Sequence, residues 1–329
     1  MMKKLLAAVC VCSMLLCGCQ SQGTYLKPYA GVTASKTADV SSMIDTRVWE
    51  GFAADLGVVS VDDSENGIDS ETLSQIDAKE VFLTGTTDST VLTAYNIYTQ
   101  MPPASITKIL TALVALQSVS DKDLDQEVTL TDDVNIDVAD AQVCGFKPGD
   151  KMTLRTLLYC MLIYSGNDAA NAVASAVSGG DIPAFCDKMN ETVAKLGATQ
   201  THFVTPNGLD DPDHYTTAYD LYLIFQNCIQ NEAFLKIIET KSYTASITQA
   251  DGNVRTEDWA PTNYYAKGIV SAPDGVTVLG GKTGTTGEAG YCLILLNENV
   301  AGHPYISIVM GAGSRALLYE DMNALLDGA

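Results

Sequence analysis

The stretch Pro102-Pro103-Ala104-Ser105-Ile106-Thr107-Lys108 joins two kinds of secondary structure. Its paired prolines stop an extended run, and Ser105 opens a helix with apolar residues at 106, 109, 110, 113, 114 and 116, the spacing of one buried helical face. A Ser and a Lys three positions apart lie on the same side of such a helix, so a hydroxyl at its start has an amine one turn away. If burial and a second cation lower the Lys108 pKa, its neutral amine can take the Ser105 proton and make the oxygen nucleophilic. Alone, the pair also fits a capping Ser and a solvated Lys. It is nevertheless the only Ser-x-x-Lys in the chain, and the prolines set how the backbone arrives there.

On the N-terminal side of this stretch the pattern is extended. Asp55–Val61 reads as a strand, Asp62–Asp69 as a loop, and Glu80–Thr84 with Thr90–Ala94 as a hairpin split by Gly85–Ser89. On its C-terminal side the pattern is helical. Periodicity runs through Leu154–Tyr164, breaks at Ser165-Gly166-Asn167, and resumes over Ala169–Val177, Phe185–Leu196 and from Asp220 to about Ile229. Beyond residue 242 the chain turns extended again, with strands at Val276–Leu279, Tyr291–Leu296 and Tyr305–Met310, the last two an antiparallel pair. A helix over Ala316–Leu326 comes last.

Composition narrows the function. The 329 residues hold 40 acids against 19 bases, a net charge of −21, which repels phosphate backbones and argues against nucleic acid as a partner. Hydrophobic content of 47% is ample for a buried core. Met1-Met2-Lys3-Lys4 followed by an apolar run to Leu16 predicts a secretory signal over residues 1–18. Its end, Leu16-Cys17-Gly18-Cys19, resembles a bacterial lipobox, which implies a diacylglyceryl group on Cys19 and a tethered protein on the outer face of the cytoplasmic membrane. Loss of residues 1–18, which carry two Lys and no acid, would leave 17 bases against 40 acids, a net charge of −23. Residues 19–47 are polar and read as a spacer, leaving 48–329 as the catalytic domain. The five cysteines beyond Cys19 are odd in number and never in a Cys-x-x-Cys pair, so they read as buried apolar side chains.

Two further motifs complete a constellation. Ser165-Gly166-Asn167 offers a hydroxyl and an amide at a helix junction, and Gly281-Lys282-Thr283-Gly284-Thr285 places a second Lys beside Thr hydroxyls, with glycines that let a ligand approach the backbone. In this order the three resemble the serine active site shared by penicillin-binding proteins and serine β-lactamases. Flanking residues are closer to the serine-type D-alanyl-D-alanine carboxypeptidases: Pro103–Lys108, Ser165–Ala170, Thr205-Pro206-Asn207-Gly208-Leu209, His214–Asp220 and Gly281–Gly284. The resemblance covers roughly residues 50 to 326. It implies an α+β fold of β-lactamase/transpeptidase type, with an antiparallel sheet packed between helices and a mainly helical subdomain.

It also implies roles. Ser105 would attack the carbonyl between the two terminal D-alanines of a peptidoglycan stem peptide, Lys108 would act as general base, and Ser165 would pass a proton to the leaving amine. Asn167 would hold the substrate's peptide amide. Lys282, Thr283, Gly284 and Thr285 would receive the substrate strand and its terminal carboxylate, with the N–H groups of Ser105 and Thr285 as oxyanion hole. Relatives often carry an Arg near the last strand; Arg315 lies about one helical turn early for that place, and an exposed helix-start Arg fits as well. No cofactor or metal is expected, since His202, His214 and His303 have no metal-ligand spacing. His214 is expected to order the loop after Asn207-Gly208. Residues 195–209 contain no Glu, so a bound β-lactam should leave slowly and inhibit. D,D-endopeptidase, serine β-lactamase and a non-catalytic wall-peptide-binding lipoprotein remain alternatives, and wall maturation, spore cortex trimming and cell-shape control are all open as roles.

Overall fold

The computed structural model describes residues 74–87 and 90–328. The expected signal (1–18), Cys19, the spacer (19–47), the strand at 55–61 and the loop at 62–69 lie outside the described residues. Five strands form the main antiparallel sheet: β1 (Glu80–Gly85), β2 (Val91–Tyr95), β7 (Thr277–Thr286), β8 (Gly290–Glu298) and β9 (Pro304–Ala312), in the order β2-β1-β9-β8-β7. Antiparallel strands usually alternate apolar and polar residues, yet Cys292-Leu293-Ile294-Leu295-Leu296 is apolar throughout and buried. Helices cover both faces, which is why neither face can be polar.

One face carries Val81, Leu83, Leu293, Leu295 and Val309, which pack with Leu318, Met322 and Leu325 of helix α7 (Arg315–Leu326). The opposite face, with Phe82, Ile294, Ile306, Ile308 and Met310, joins the larger core formed with helices α1 (Lys108–Ser118) and α5 (Ala218–Cys228). The helical part continues through α2 (Leu154–Tyr159), α3 (Asn167–Ser178), α4 (Ile182–Lys195) and α6 (Glu232–Ile238). This is the α+β arrangement expected, a sheet between helices beside a mainly helical region. A second sheet, with order β3-β4-β5-β6, is made by β3 (Glu127–Thr129), β4 (Lys151–Thr153), β5 (Tyr243–Thr248) and β6 (Val254–Trp259).

β3, β4 and α6 are among the elements that sequence periodicity missed. β3 and β4 have three residues each, too few to show alternation, and they exist because each pairs with a neighbour. Helix α6 had a readable signal in Asn231, whose side chain accepts the N–H groups of Ala233 and Phe234. Cys144, Cys160, Cys186, Cys228 and Cys292 are free and buried, as their spacing suggested. Among the described residues no helix is long and apolar enough to cross a membrane.

Where β1 meets the start of α5, Glu80 is fully buried. One carboxyl oxygen accepts the Ala218 N–H at 2.8 Å, and the other has no partner among the described residues. Burial lifts the Glu80 pKa to about 8, with the Ala218 hydrogen bond and Lys79 opposing it. The folded protein therefore keeps a proton that the unfolded chain releases near 4.5, so stability falls as pH rises from there through about 8. The loss should be on the order of a few kcal/mol. The melting temperature of wild type relative to Glu80→Gln, measured at each pH so that the buried lysines and histidine titrate alike in both proteins, should fall steadily between pH 5 and pH 9.

Candidate active site

The expected helix start at Ser105 is corrected by one turn. Ala104–Thr107 form a tight 3-10 turn and the α-helix begins at Lys108, because Ala104 is held in the left-handed region at φ +51°. That kink lifts Ser105 into a cleft of about 1270 Å³, while Lys108 is buried beneath it. The Lys108 amine reaches three oxygens: Ser105 Oγ at 2.8 Å, Asn167 Oδ1 at 2.8 Å and the Asn207 carbonyl at 2.6 Å. Burial first, then the charge of Lys282, holds its pKa well below the ordinary lysine value. A neutral amine has two N–H donors and one lone pair. Asn167 and Asn207 take the donors, so the lone pair is left to accept the Ser105 proton.

Ser165 sits where helix α2 ends in one π-helical turn, Cys160–Tyr164, and its own backbone is left-handed at φ 70°, ψ 29°. Such a turn widens the helix and re-aims the residues after it. The residue next to Ser165 has little room for a side chain: a Cβ at Gly166 would lie 2.4 Å from the Cys144 sulfur, which would have to shift. Asn167 then opens α3, and its neighbour Asp168 accepts backbone N–H groups of Cys144, Gly145 and Phe146. The loop bordering the cleft at residues 138–142 is thereby tethered to the helix that carries Asn167.

Strand β7 supplies the third side. Lys282 is buried and donates to Ser165 Oγ at 2.8 Å and to the Thr283 carbonyl at 2.7 Å. The Thr283 hydroxyl bonds to that of Thr262, and Thr285 is exposed in the cleft. Gly284 was expected to let a ligand near the strand. Its surroundings give it a different task, because a Cβ there would meet the Pro103 carbonyl at 2.7 Å and Ala104 Cβ at 3.2 Å. Its bare Cα lets β7 lie against the turn that bears Ser105.

Arg315 is the first residue of α7, exposed at the cleft wall. Its guanidinium donates to Tyr264 Oη at 3.1 Å and lies 5.3 Å and 5.9 Å from the ring centres of Tyr264 and Tyr291. Arg315 thus starts a helix and lines the cleft. Ser105, Lys108, Ser165, Asn167, Lys282, Thr283, Gly284 and Thr285 are all brought to one place. Sequence reasoning gives Asn207 no task, since nothing in a sequence marks a backbone carbonyl as an amine's acceptor. It also misses Asp168 as a tether.

These features have relatives. A family model described as D-alanyl-D-alanine carboxypeptidase matches residues 67–314. A D-alanyl-D-alanine carboxypeptidase of Streptomyces sp. (strain K15) is 35% identical over 242 residues, 70% of this chain and 79% of that protein. DacB2 of Mycobacterium tuberculosis, another D-alanyl-D-alanine carboxypeptidase, is 37% identical over 190 residues, 57% of this chain and 59% of that one. The match to DacF of Bacillus subtilis likewise spans 62% of its length, so the chain covers about three fifths of several such relatives. The crystal structure of the Streptomyces K15 DD-transpeptidase superposes with a TM-score of 0.70 at 29% identity, covering 77% of this chain and 97% of that one.

The two amines titrate differently. Burial brings Lys282 down to about 7, so in the free cleft it is a cation below that pH and neutral above it. For a carboxylate-bearing reagent that acylates Ser105, the second-order rate constant should fall about tenfold per pH unit above about 7, as the attracting charge is lost. An uncharged ester of the same reagent should show no such fall. Stopped-flow measurement of both reagents between pH 5 and pH 9 checks this, and an equal fall for the ester would remove Lys282 as the carboxylate's partner.

Proposed function

The chain belongs to the D-alanyl-D-alanine carboxypeptidase family, and from that premise we propose that it removes the terminal D-alanine of peptidoglycan stem peptides through an acyl-enzyme on Ser105. The observation that carries this reading is the Lys108 amine, buried and bonded at once to Ser105, Asn167 and Asn207. As Ser105 Oγ attacks the penultimate D-alanine carbonyl, its proton passes to Lys108. The carbonyl oxygen takes up negative charge before the N–H groups of Ser105 and Thr285, a contribution of about 3 kcal/mol per donor. Ser165, held by Lys282, relays a proton to the departing amine, and free D-alanine leaves. Water then cleaves the ester by the same route in reverse.

Asn167 supports binding by its amide: while Oδ1 is committed to Lys108, its NH₂ can meet a substrate carbonyl. Lys282, Thr283 and Arg315 are the groups suited to the terminal carboxylate, which a protein of such negative net charge would otherwise repel. A β-lactam mimics the same carbonyl and should acylate Ser105. Hydrolysis of that adduct should be slow, because the loop at 195–209 supplies no Glu to activate water. The solved Streptomyces structure is that of a DD-transpeptidase, and the same acyl-enzyme would serve either acceptor, water or an amine. The chain has a secretory and lipobox-like start, which supports export and anchoring through Cys19.

Incubation with a pentapeptide ending in D-alanyl-D-alanine should release one D-alanine per peptide, and labelled penicillin should add one mass increment to the peptide containing Ser105. Ser105→Ala should abolish both, and Lys108→Ala should lower the acylation rate by about a thousandfold or more. Cleavage of a cross-linked dimer without release from the pentapeptide would move the assignment to an endopeptidase. For the anchor, Cys19→Ser expressed from the full chain should shift the protein from the membrane pellet to the soluble exported fraction; retention in the pellet would refute lipidation.

A further inference from the structure

His214 is buried, 2% exposed, and its contacts reach beyond the loop it was expected to order. Its Nδ1 accepts the backbone N–H groups of Val204 and Thr205, at 3.1 and 3.4 Å. The ring proton therefore resides on Nε2, which donates to Thr107 Oγ1 at 2.8 Å. That hydroxyl in turn donates to the Ala104 carbonyl at 2.8 Å. Thr107 occupies the position that caps helix α1, where a Thr side chain ordinarily accepts an N–H of the first turn, yet its hydroxyl makes no capping bond. It has been diverted to Ala104.

The destination matters. The Ala104 carbonyl and the Ser105 N–H belong to one peptide plane and point in opposite directions, so fixing the oxygen aims the N–H. Ala104 is strained at φ +51°, a conformation that persists only when its surroundings enforce it. A second contact grips the same oxygen: a Cβ on Gly208 would come within 2.0 Å of it, so only glycine fits there. Burial lowers the His214 pKa to about 4, with Asp211 opposing and His202 and Lys108 reinforcing, so the ring stays neutral with its single Nε2 proton.

We propose that His214 and Thr107 are positioning residues for the reaction: the chain His214 Nε2–H, Thr107 hydroxyl, Ala104 carbonyl holds the Ala104–Ser105 peptide plane so that the Ser105 N–H faces the developing oxyanion. This rests on the acyl-enzyme reading above. Neither side chain touches substrate. Both act on the acylation rate through the backbone, and because the oxyanion exists only in the transition state, kcat should suffer while KM does not.

The test is single-turnover acylation by a fluorescent penicillin, together with kcat and KM for D-alanine release and a thermal melt of each variant. Thr107→Val keeps the branched shape and lacks the hydroxyl; it should acylate about tenfold or more slowly with KM within about twofold of wild type. Thr107→Ser should recover most of the rate. His214→Ala should show a similar loss, part of which added imidazole restores. A folded Thr107→Val that acylates at the wild-type rate, or a Thr107→Ser no better than Val, would overturn the relay. Should Thr107→Val fail to fold, His214→Ala decides by itself: no imidazole rescue of its acylation rate overturns the proposal. Absence of label on Ser105 in wild type would instead overturn the acyl-enzyme reading.

Discussion

A lysine amine enclosed by protein, with three oxygens around its nitrogen, is the constraint that the surrounding structure serves. Keeping an ammonium in such a place would cost several kcal/mol, and burial accordingly pushes the Lys108 pKa well below the ordinary lysine value. Three separate segments must converge for this to happen. The Ser105 turn, the start of α3 and the loop at 206–208 each contribute one oxygen, and each is pinned by something other than the lysine. Asn207 is held through its side chain by Asn171, and Thr111 of the next turn of α1 donates to the Pro206 carbonyl at 2.6 Å. The pocket is therefore built before any ligand arrives, as electrostatic catalysis requires.

Close backbone approach is the second requirement, and glycine meets it at two points with different neighbours. Gly284 brings strand β7 against the turn at 103–106, and Gly208 brings the opposite loop against the Ala104 carbonyl. The nucleophile's backbone is thus clamped from both sides. The main sheet and the helical region meet at this seam through the larger apolar core, so the catalytic geometry depends on the packing of the two parts on each other.

Much of this was legible in the sequence because the long elements bury a face and announce it. The helix after Ser105, the strands of the main sheet beyond residue 276 and the closing helix all have apolar spacing that only one kind of element satisfies. Ser105, Lys108, Ser165, Asn167 and Lys282 were readable because their side chains do chemistry in recognisable order. Groups that act through their backbone were not. The Asn207 carbonyl, the Ala104 strain and the π-turn before Ser165 are set by tertiary contacts, and no residue type marks them. Gly284 shows the same limit from the other side: glycine was visible, but whether it admits a ligand or a neighbouring turn depends on what the fold places beside it.

The contact between Gly166 and Cys144 has an evolutionary consequence. A class of penicillin-hydrolysing relatives carries aspartate in the middle of the corresponding triplet, and here the thiol occupies the space that even its first carbon would need. A side chain at 166 would displace the Cys144 sulfur, so the two positions are coupled through that contact. The two positions lie 22 residues apart along the chain, and drug pressure that favours a larger residue at 166 would therefore also be felt at 144.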